Sequence, residues 1–207
     1  MCVFHRDDNK QLSVDGISLG AIAKQYGSPV YVYSAAGISD AFIRFQNAVS
    51  PVNGKVYFAM KSNSAIGVLA LIGKLGGGMD IVSAGELARA IAAGIKPSDV
   101  VFSGVGKTND EIRQALTCGI GQINAESQPE VSAISAIAQE MNLLAPVALR
   151  VNVDVSPSTH AKISTGERNT KFGISTNQRE ACDIYQQMAK DPHISPAGLA
   201  VHIGSQI

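Results

Sequence analysis

Residues 78–104, "GMDIVSAGELARAIAAGIKPSDVVFSG", contain one full turn of the pattern that decides the fold. "GMDIVS" is a short apolar run ending in polar residues, the mark of a buried strand. "AGELARAIAAG" then spaces its apolar residues as a helix does, until Gly94 stops it. "DVVFSG" is apolar again and ends on Ser103 and Gly104. A strand, a helix and a strand of these lengths predict a right-handed βαβ unit in a parallel sheet.

The unit repeats in both directions. Upstream, "SPVYVYS" (28–34) reads as a strand, 35–49 as a helix, 55–61 as a strand, and 64–75 as a helix closed by consecutive glycines. Downstream, "TNDEIRQALTCG" (108–119) is a helix with Thr108 or Asn109 as N-cap and Gly119 as its stop. "GQINAE" (121–126) is a strand, 127–142 a helix, "APVALRVN" (145–152) a strand, 176–190 a helix, and "AGLAVHIGS" (197–205) a strand.

From Val56 onward this gives six strands, ending in KSN, SAGE, SGVGK, AES, RVN and HIGS. Polar groups gathered at the carboxyl ends of successive parallel strands are where a (β/α)8 barrel keeps its site. A doubly wound sheet also binds at strand ends, but no GxGxxG follows the first strand here. The predicted fold class is therefore α/β, a (β/α)8 TIM-type barrel cut short after its sixth strand, because the sequence stops at Ile207. Such an arc would leave sheet edges and helix faces uncovered, which favours aggregation or pairing.

Composition narrows the function classes. Seventeen basic residues balance 17 acidic ones among 207, and no basic stripe stands out, which argues against nucleic acid or an anionic membrane as partner. No run is long enough to span a bilayer, and "MCVFHRDDNK" lacks the apolar core of a signal peptide. Cys2, Cys118 and Cys182 are odd in number and far apart, as reduced cytosolic thiols would be. The four histidines are equally dispersed, so no metal site is expected.

Several residues carry possible chemistry. Lys61 ends the apolar run "VYFAM". It is either an amine nucleophile in a semi-apolar pocket or a strand-end lysine with its head in water, and the local pattern alone favours the second. His202, in "HIGSQ", could stack on a planar ring or carry protons, or simply be a half-buried histidine satisfied by backbone. Gly204 and Ser205 beside it could approach a phosphate. Asp80 and Glu86 flank a strand-to-helix turn, but Ser83 with Glu86 also spells a capping box. Arg150 sits on a strand of Leu and Val, and its fork suits a fixed carboxylate, for which Asp80 or Glu86 is the expected partner. "ISTGERNTKFGIS" (163–175) reads as a loop over a site mouth. "GVGKT" (104–108) is not a P-loop, because the pattern requires a glycine at position 101 and that residue is Val101.

Together these segments resemble diaminopimelate decarboxylase, among the barrel-type pyridoxal-phosphate decarboxylases of the alanine-racemase-like fold. "FAMKSN" is similar to the family's Y-A-x-K-A-N, with Phe58 in place of Tyr and Ser62 in place of Ala. "GMDIVSAGEL", "VFSGVGKTNDEI", "LRVNVDVSPSTHAKISTG", "TKFGI" and "HIGSQ" follow in the family's order and spacing. The likeness runs from about residue 15 to the last residue.

The resemblance implies a cofactor, pyridoxal 5'-phosphate, and roles for particular residues. Lys61 would be the Schiff-base lysine, and His202 would stack on the pyridine face. Ser205, with Gly204, would contact the phosphate, and Asp80, Glu86 and Arg150 would line the ring. Residues 1–33 would belong to a second, β-rich domain, and 34–207 to the partial barrel. The implied reaction is decarboxylation of meso-2,6-diaminopimelate to L-lysine, in a cytoplasmic homodimer. In the family, further site groups follow the HIGS strand, so these 207 residues alone are expected to have little or no activity. Related decarboxylases acting on carboxynorspermidine, ornithine or arginine, a non-catalytic relative, and a barrel aldolase using Lys61 are the alternatives.

Overall fold

The computed structural model describes residues 3–6, 10–153, 155, 173–175 and 179–204. The chain opens with three short antiparallel strands, β1 (Phe4–Arg6), β2 (Leu12–Val14) and β3 (Ile17–Ser18). Asp15 and Gly16 join β2 to β3 with positive φ at both residues (48° and 79°), the two-residue turn whose twist suits a hairpin. Helix α1 (Leu19–Tyr26) follows, then a connection without helix or strand, then α2 (Ala35–Val49). Ser34 Oγ accepts from the Gly37 N–H at 2.9 Å and donates to Asp15 Oδ1 at 2.8 Å, so one hydroxyl caps α2 and ties it to the hairpin.

The rest is the predicted alternation. The elements are β4 (Tyr57–Ala59), α3 (Ile66–Lys74), β5 (Gly78–Ile81), α4 (Ala84–Ala92), β6 (Val100–Phe102), α5 (Asn109–Cys118) and β7 (Gln122–Ala125). Then come α6 (Gln128–Met141), β8 (Ala145–Asn152), β9 (Ile174–Ser175), α7 (Glu180–Lys190) and β10 (Ile194–Ala200). The main sheet runs β4-β5-β6-β7-β8-β10, every neighbouring pair parallel, with β9 beside the end of β8.

That order settles the architecture. Apart from the short β9, each strand lies beside its predecessor and the order never reverses, whereas a doubly wound sheet reverses at its switch point. Helices α2 to α6 pack each on the next in one layer. This is an arc of a (β/α) barrel. The face of the sheet toward the helices is dry: Met79, Ile81, Val100, Phe102, Ile123 and Leu149 have no exposed surface. The alternate residues therefore face the barrel interior, and there the sequence changes to Asp80, Ser103, Asn124 and Arg150.

Four expectations need correction. Residues 28–34 form no strand, and Tyr31 and Tyr33 are exposed, because no described strand runs beside them to accept their backbone bonds. The strand expected at 55–61 ends at Ala59, and Met60–Ser62 turns as one 3-10 turn around the buried Met60. The last strand begins earlier than expected, at Ile194, and ends at Ala200, before His202. The segment 163–175 was expected to be loop throughout, yet Ile174 and Ser175 pair with Val151 and Asn152; residues 163–172 lie outside the described residues. No helix among the described residues is long and apolar enough to cross a membrane.

Candidate active site at the carboxyl ends of the strands

The interior face carries a relay of side chains across three neighbouring strands. Gln122 Nε2 donates to Asn124 Oδ1 at 2.7 Å, and Asn124 Nδ2 donates to Ser103 Oγ at 2.9 Å. The Ser103 hydroxyl donates in turn to Asp80 Oδ1. The relay fixes the Asp80 carboxylate near the mouth. Burial pushes the Asp80 carboxyl above its usual range; the Ser103 hydrogen bond and the charges of Lys61, His202 and Arg150 pull the other way. Asp80 thus feels all three candidate cationic groups.

Lys61 stands on the turn after β4, held by the buried Met60, and its side chain is exposed. Its ammonium makes no hydrogen bond or ion pair with the described residues. It nevertheless lies close enough to Asp80 and His202 for its charge to act on both. The bland reading of a strand-end lysine is accurate for its exposure, but not for its surroundings.

His202 follows β10 and is half-buried. Its Nδ1 accepts from the Gly204 N–H at 3.1 Å, which leaves Nε2 to carry the proton of the neutral ring. Burial lowers its pKa, with the charges of Arg150 and Lys61 adding and those of Asp80 and Glu126 opposing. As pH falls below about 6.5, the unfolded chain therefore takes up this proton before the folded one. The stability His202 contributes is complete above that pH and is lost as pH falls through the lower, folded-state value. In His202→Gln, urea midpoints measured at pH 7.5 and 5.5 are expected to differ less than in the parent; an equal or larger difference would contradict the assignment.

Arg150 does not pair with Asp80 or Glu86, as its sequence context suggested. Its Nη1 donates to Glu126 Oε1 at 3.0 Å, with side-chain exposures of only 11% and 2%. Topology is the reason: Glu126 ends β7, which adjoins β8, whereas Asp80 is three strands away. Glu86 is used locally. Its Oε2 accepts from the Val82 N–H at 2.7 Å while its own N–H donates to Ser83 Oγ at 3.2 Å, so Ser83 caps α4 as expected but the carboxylate closes on the residue before the cap rather than completing the box. Gly204 is buried next to His202, and Ser205 lies outside the described residues.

Two groups escaped the sequence reading. Glu126 was hidden in "INAES" as one polar strand end among six. Lys107, in the rejected "GVGKT", is a fastener. Its side chain is 1% exposed, and its Nζ donates to the Gly104 and Asn124 carbonyls (2.5 and 2.8 Å) and to Glu130 Oε1 (2.8 Å) and lies 5.5 Å from the Phe102 ring centre. Glu130 Oε2 also accepts from the Glu126 N–H at 2.8 Å. On the other side, Thr108 and Glu111 form a complete capping box on α5, and Glu111 Oε1 reaches the Ala84 N–H of α4 at 3.0 Å. These bonds, led by the Thr108 N–H, lower the pKa of Glu111. "GVGKTNDE" therefore laces together three adjacent strand-to-helix loops that frame the mouth.

Comparison with known proteins agrees with this geometry. The model of the pyridoxal-dependent decarboxylase, pyridoxal binding domain, matches residues 35–207. The diaminopimelate decarboxylase of Zymomonas mobilis is 48% identical over 202 residues, which are 96% of this chain and 48% of that protein. That of Vibrio cholerae is 42% identical over 207 residues, all of this chain and 49% of that one. Among solved structures, diaminopimelate decarboxylase from M. jannaschii in co-complex with L-lysine superposes with a TM-score of 0.91 at 31% identity, covering 100% of this chain and 49% of its own. The Helicobacter pylori enzyme complexed with L-lysine gives 0.87 at 37% identity, covering 91% and 47%. The chain spans about half the length of the relatives it matches. An exposed primary amine, a flat imidazole, a carboxylate and a guanidinium converging on one barrel mouth suit an aldehyde-bearing, anionic, aromatic cofactor, which pyridoxal phosphate is. By its residues 35–207 and by the arc of barrel they form, the chain belongs to the pyridoxal-dependent decarboxylases, through their pyridoxal binding domain.

Proposed function

We propose that this chain holds pyridoxal 5'-phosphate for the decarboxylation of meso-2,6-diaminopimelate to L-lysine and CO2, the last step of lysine biosynthesis. The observation that carries the reading is the position of Lys61, an exposed amine beside Asp80 and His202 at the mouth of the barrel. The substrate is chosen by likeness to relatives named for it, two of them solved with L-lysine.

Each residue then has a task. Lys61 would hold the cofactor through its amine. His202, its ring held by the Gly204 N–H, would pack on the cofactor's ring. Gly204 and Ser205 hold the phosphate. Asp80 and Arg150 line the ring with opposite charges, and Glu86 supports them by shaping the β5–α4 turn. When bound, the cofactor supplies an electron sink for the electron pair left on Cα as the carboxylate departs. A lysine attacks an aldehyde through its neutral amine, and Lys61 stands exposed where a small aldehyde can reach it.

The reading extends to the rest of the molecule. Residues 1–33, with their antiparallel strands, belong to a β-rich domain, and 34–207 to the barrel. A homodimer in the cytoplasm is part of the same reading, supported by the resemblance of the motifs and by three widely spaced cysteines.

Mixing the chain with pyridoxal phosphate tests it. An absorbance band near the visible edge is expected, and borohydride should fix the label on the peptide bearing Lys61. Meso-diaminopimelate should perturb that band at lower concentration than ornithine or arginine. Labelling scattered over surface lysines would refute the cofactor site, and a preference for ornithine would reassign the substrate.

A further inference from the structure

Glu126 is a buried carboxylate with only half of its acceptors used. Oε1 accepts twice, from the Gly104 N–H at 2.9 Å and from Arg150 Nη1 at 3.0 Å. Oε2 is buried and has no partner among the described residues. An unpaired buried carboxylate oxygen costs about 1–3 kcal/mol or more, so packing alone gives no reason to keep a charged group here. The surroundings are also built to hold it: its N–H is bound by Glu130, which Lys107 pins in turn. The glutamate is locked at one end of a chain of contacts whose other end is the guanidinium at the barrel mouth.

We propose that Glu126 is a positioning residue of the cofactor site: anchored on Gly104, it sets the Arg150 guanidinium in place and balances its charge beside His202 and Asp80. The role rests on the reading of the mouth as a pyridoxal-phosphate site, but its electrostatic half can be measured without cofactor. His202 is faced by Arg150 from β8, Lys61 from the turn after β4, Asp80 from β5 and Glu126 from the end of β7. Removing the Glu126 charge while keeping its shape takes a negative charge away from Arg150 and from His202, and a site made more positive disfavours a protonated imidazole.

The experiment is an NMR titration of His202 in the cofactor-free chain. In Glu126→Gln the midpoint is expected to fall by about half a pH unit or more. In the double variant Glu126→Gln, Arg150→Gln both charges leave together, and the midpoint should return at least to that of the parent, because Arg150 acts on His202 more strongly than Glu126 does. An unmoved midpoint in the single variant, or a shift retained in the double one, overturns the proposal; a purely structural glutamate would change stability and leave the titration alone. If the single variant does not fold, Arg150→Gln against the double variant carries the test: since Glu126 acts through Arg150, the two midpoints should differ by less than about half a unit, and a larger difference overturns it. Pyridoxal phosphate added to Glu126→Gln should bind about tenfold more weakly than to the parent, near 1.4 kcal/mol. Unchanged affinity would mean that the pair does not serve the cofactor. A parent that forms no band at all would instead refute the cofactor reading, while the His202 result would still stand.

Discussion

Lys61→Ala is expected to abolish borohydride-stable capture of pyridoxal phosphate, not merely to weaken it. A covalent link needs an amine that can be neutral, exposed and within reach of the mouth. Two lysines follow strands of the arc here, Lys61 after β4 and Lys107 after β6, and the structure separates their roles. Lys107 is sealed, with all three of its donors used on Gly104, Asn124 and Glu130. Lys61 is exposed on a turn of its own, near Asp80 and His202. Mass analysis of reduced, digested protein should therefore show the label on the Lys61 peptide in the parent and on no single peptide in the variant. Comparable labelling of both proteins would remove Lys61 from its assigned role. Because its side chain faces solvent, the substitution should leave the unfolding midpoint nearly unchanged, within about 0.5 kcal/mol.

Lys107→Met is expected to have the largest effect on stability. The methionine keeps the apolar stem against Phe102 but deletes an ammonium that satisfies two backbone carbonyls and a carboxylate in a nearly dry site. Removing one partner of a buried ion pair typically costs about 3–5 kcal/mol, because the remaining charge is stranded. For a chain of this size that is a fall in Tm of roughly 10 °C. Adding Glu130→Gln to the same chain should recover part of the loss, since no charge is then left unpaired. Urea and thermal unfolding measure both variants. A loss below about 1 kcal/mol for Lys107→Met would mean the fastener does not hold, and the account of the three laced loops would fail with it.

The backbone plan was legible in the sequence where local rules govern. Helix α5 is an example: a Thr108 or Asn109 cap and the Gly119 stop act within one turn, and the structure has Thr108 as the cap and a left-handed Gly119 in that place. The stretch 28–34 is the counterexample. Its β-branched and aromatic residues suit a strand, but a strand exists only with a neighbour, and none among the described residues runs beside it. Asp15 and Gly16 carried a hairpin signal in plain view, in a region where the resemblance implied only a β-rich domain.

The site divides in the same way. By itself, the sequence determined the alternation of strands and helices, the gathering of polar residues at strand ends, and the candidates Lys61, Asp80, Arg150 and His202. Periodicity and chain punctuation are properties of neighbouring residues, so they survive in one dimension. Only the tertiary structure decided which charge meets which. Arg150 pairs with Glu126 because β7 and β8 are adjacent, and Lys107 is a fastener because Asn124 and Glu130 close over it. Coulomb and hydrogen-bond energies depend on distance through space and on exclusion of water, and neither quantity exists until the strands are laid side by side.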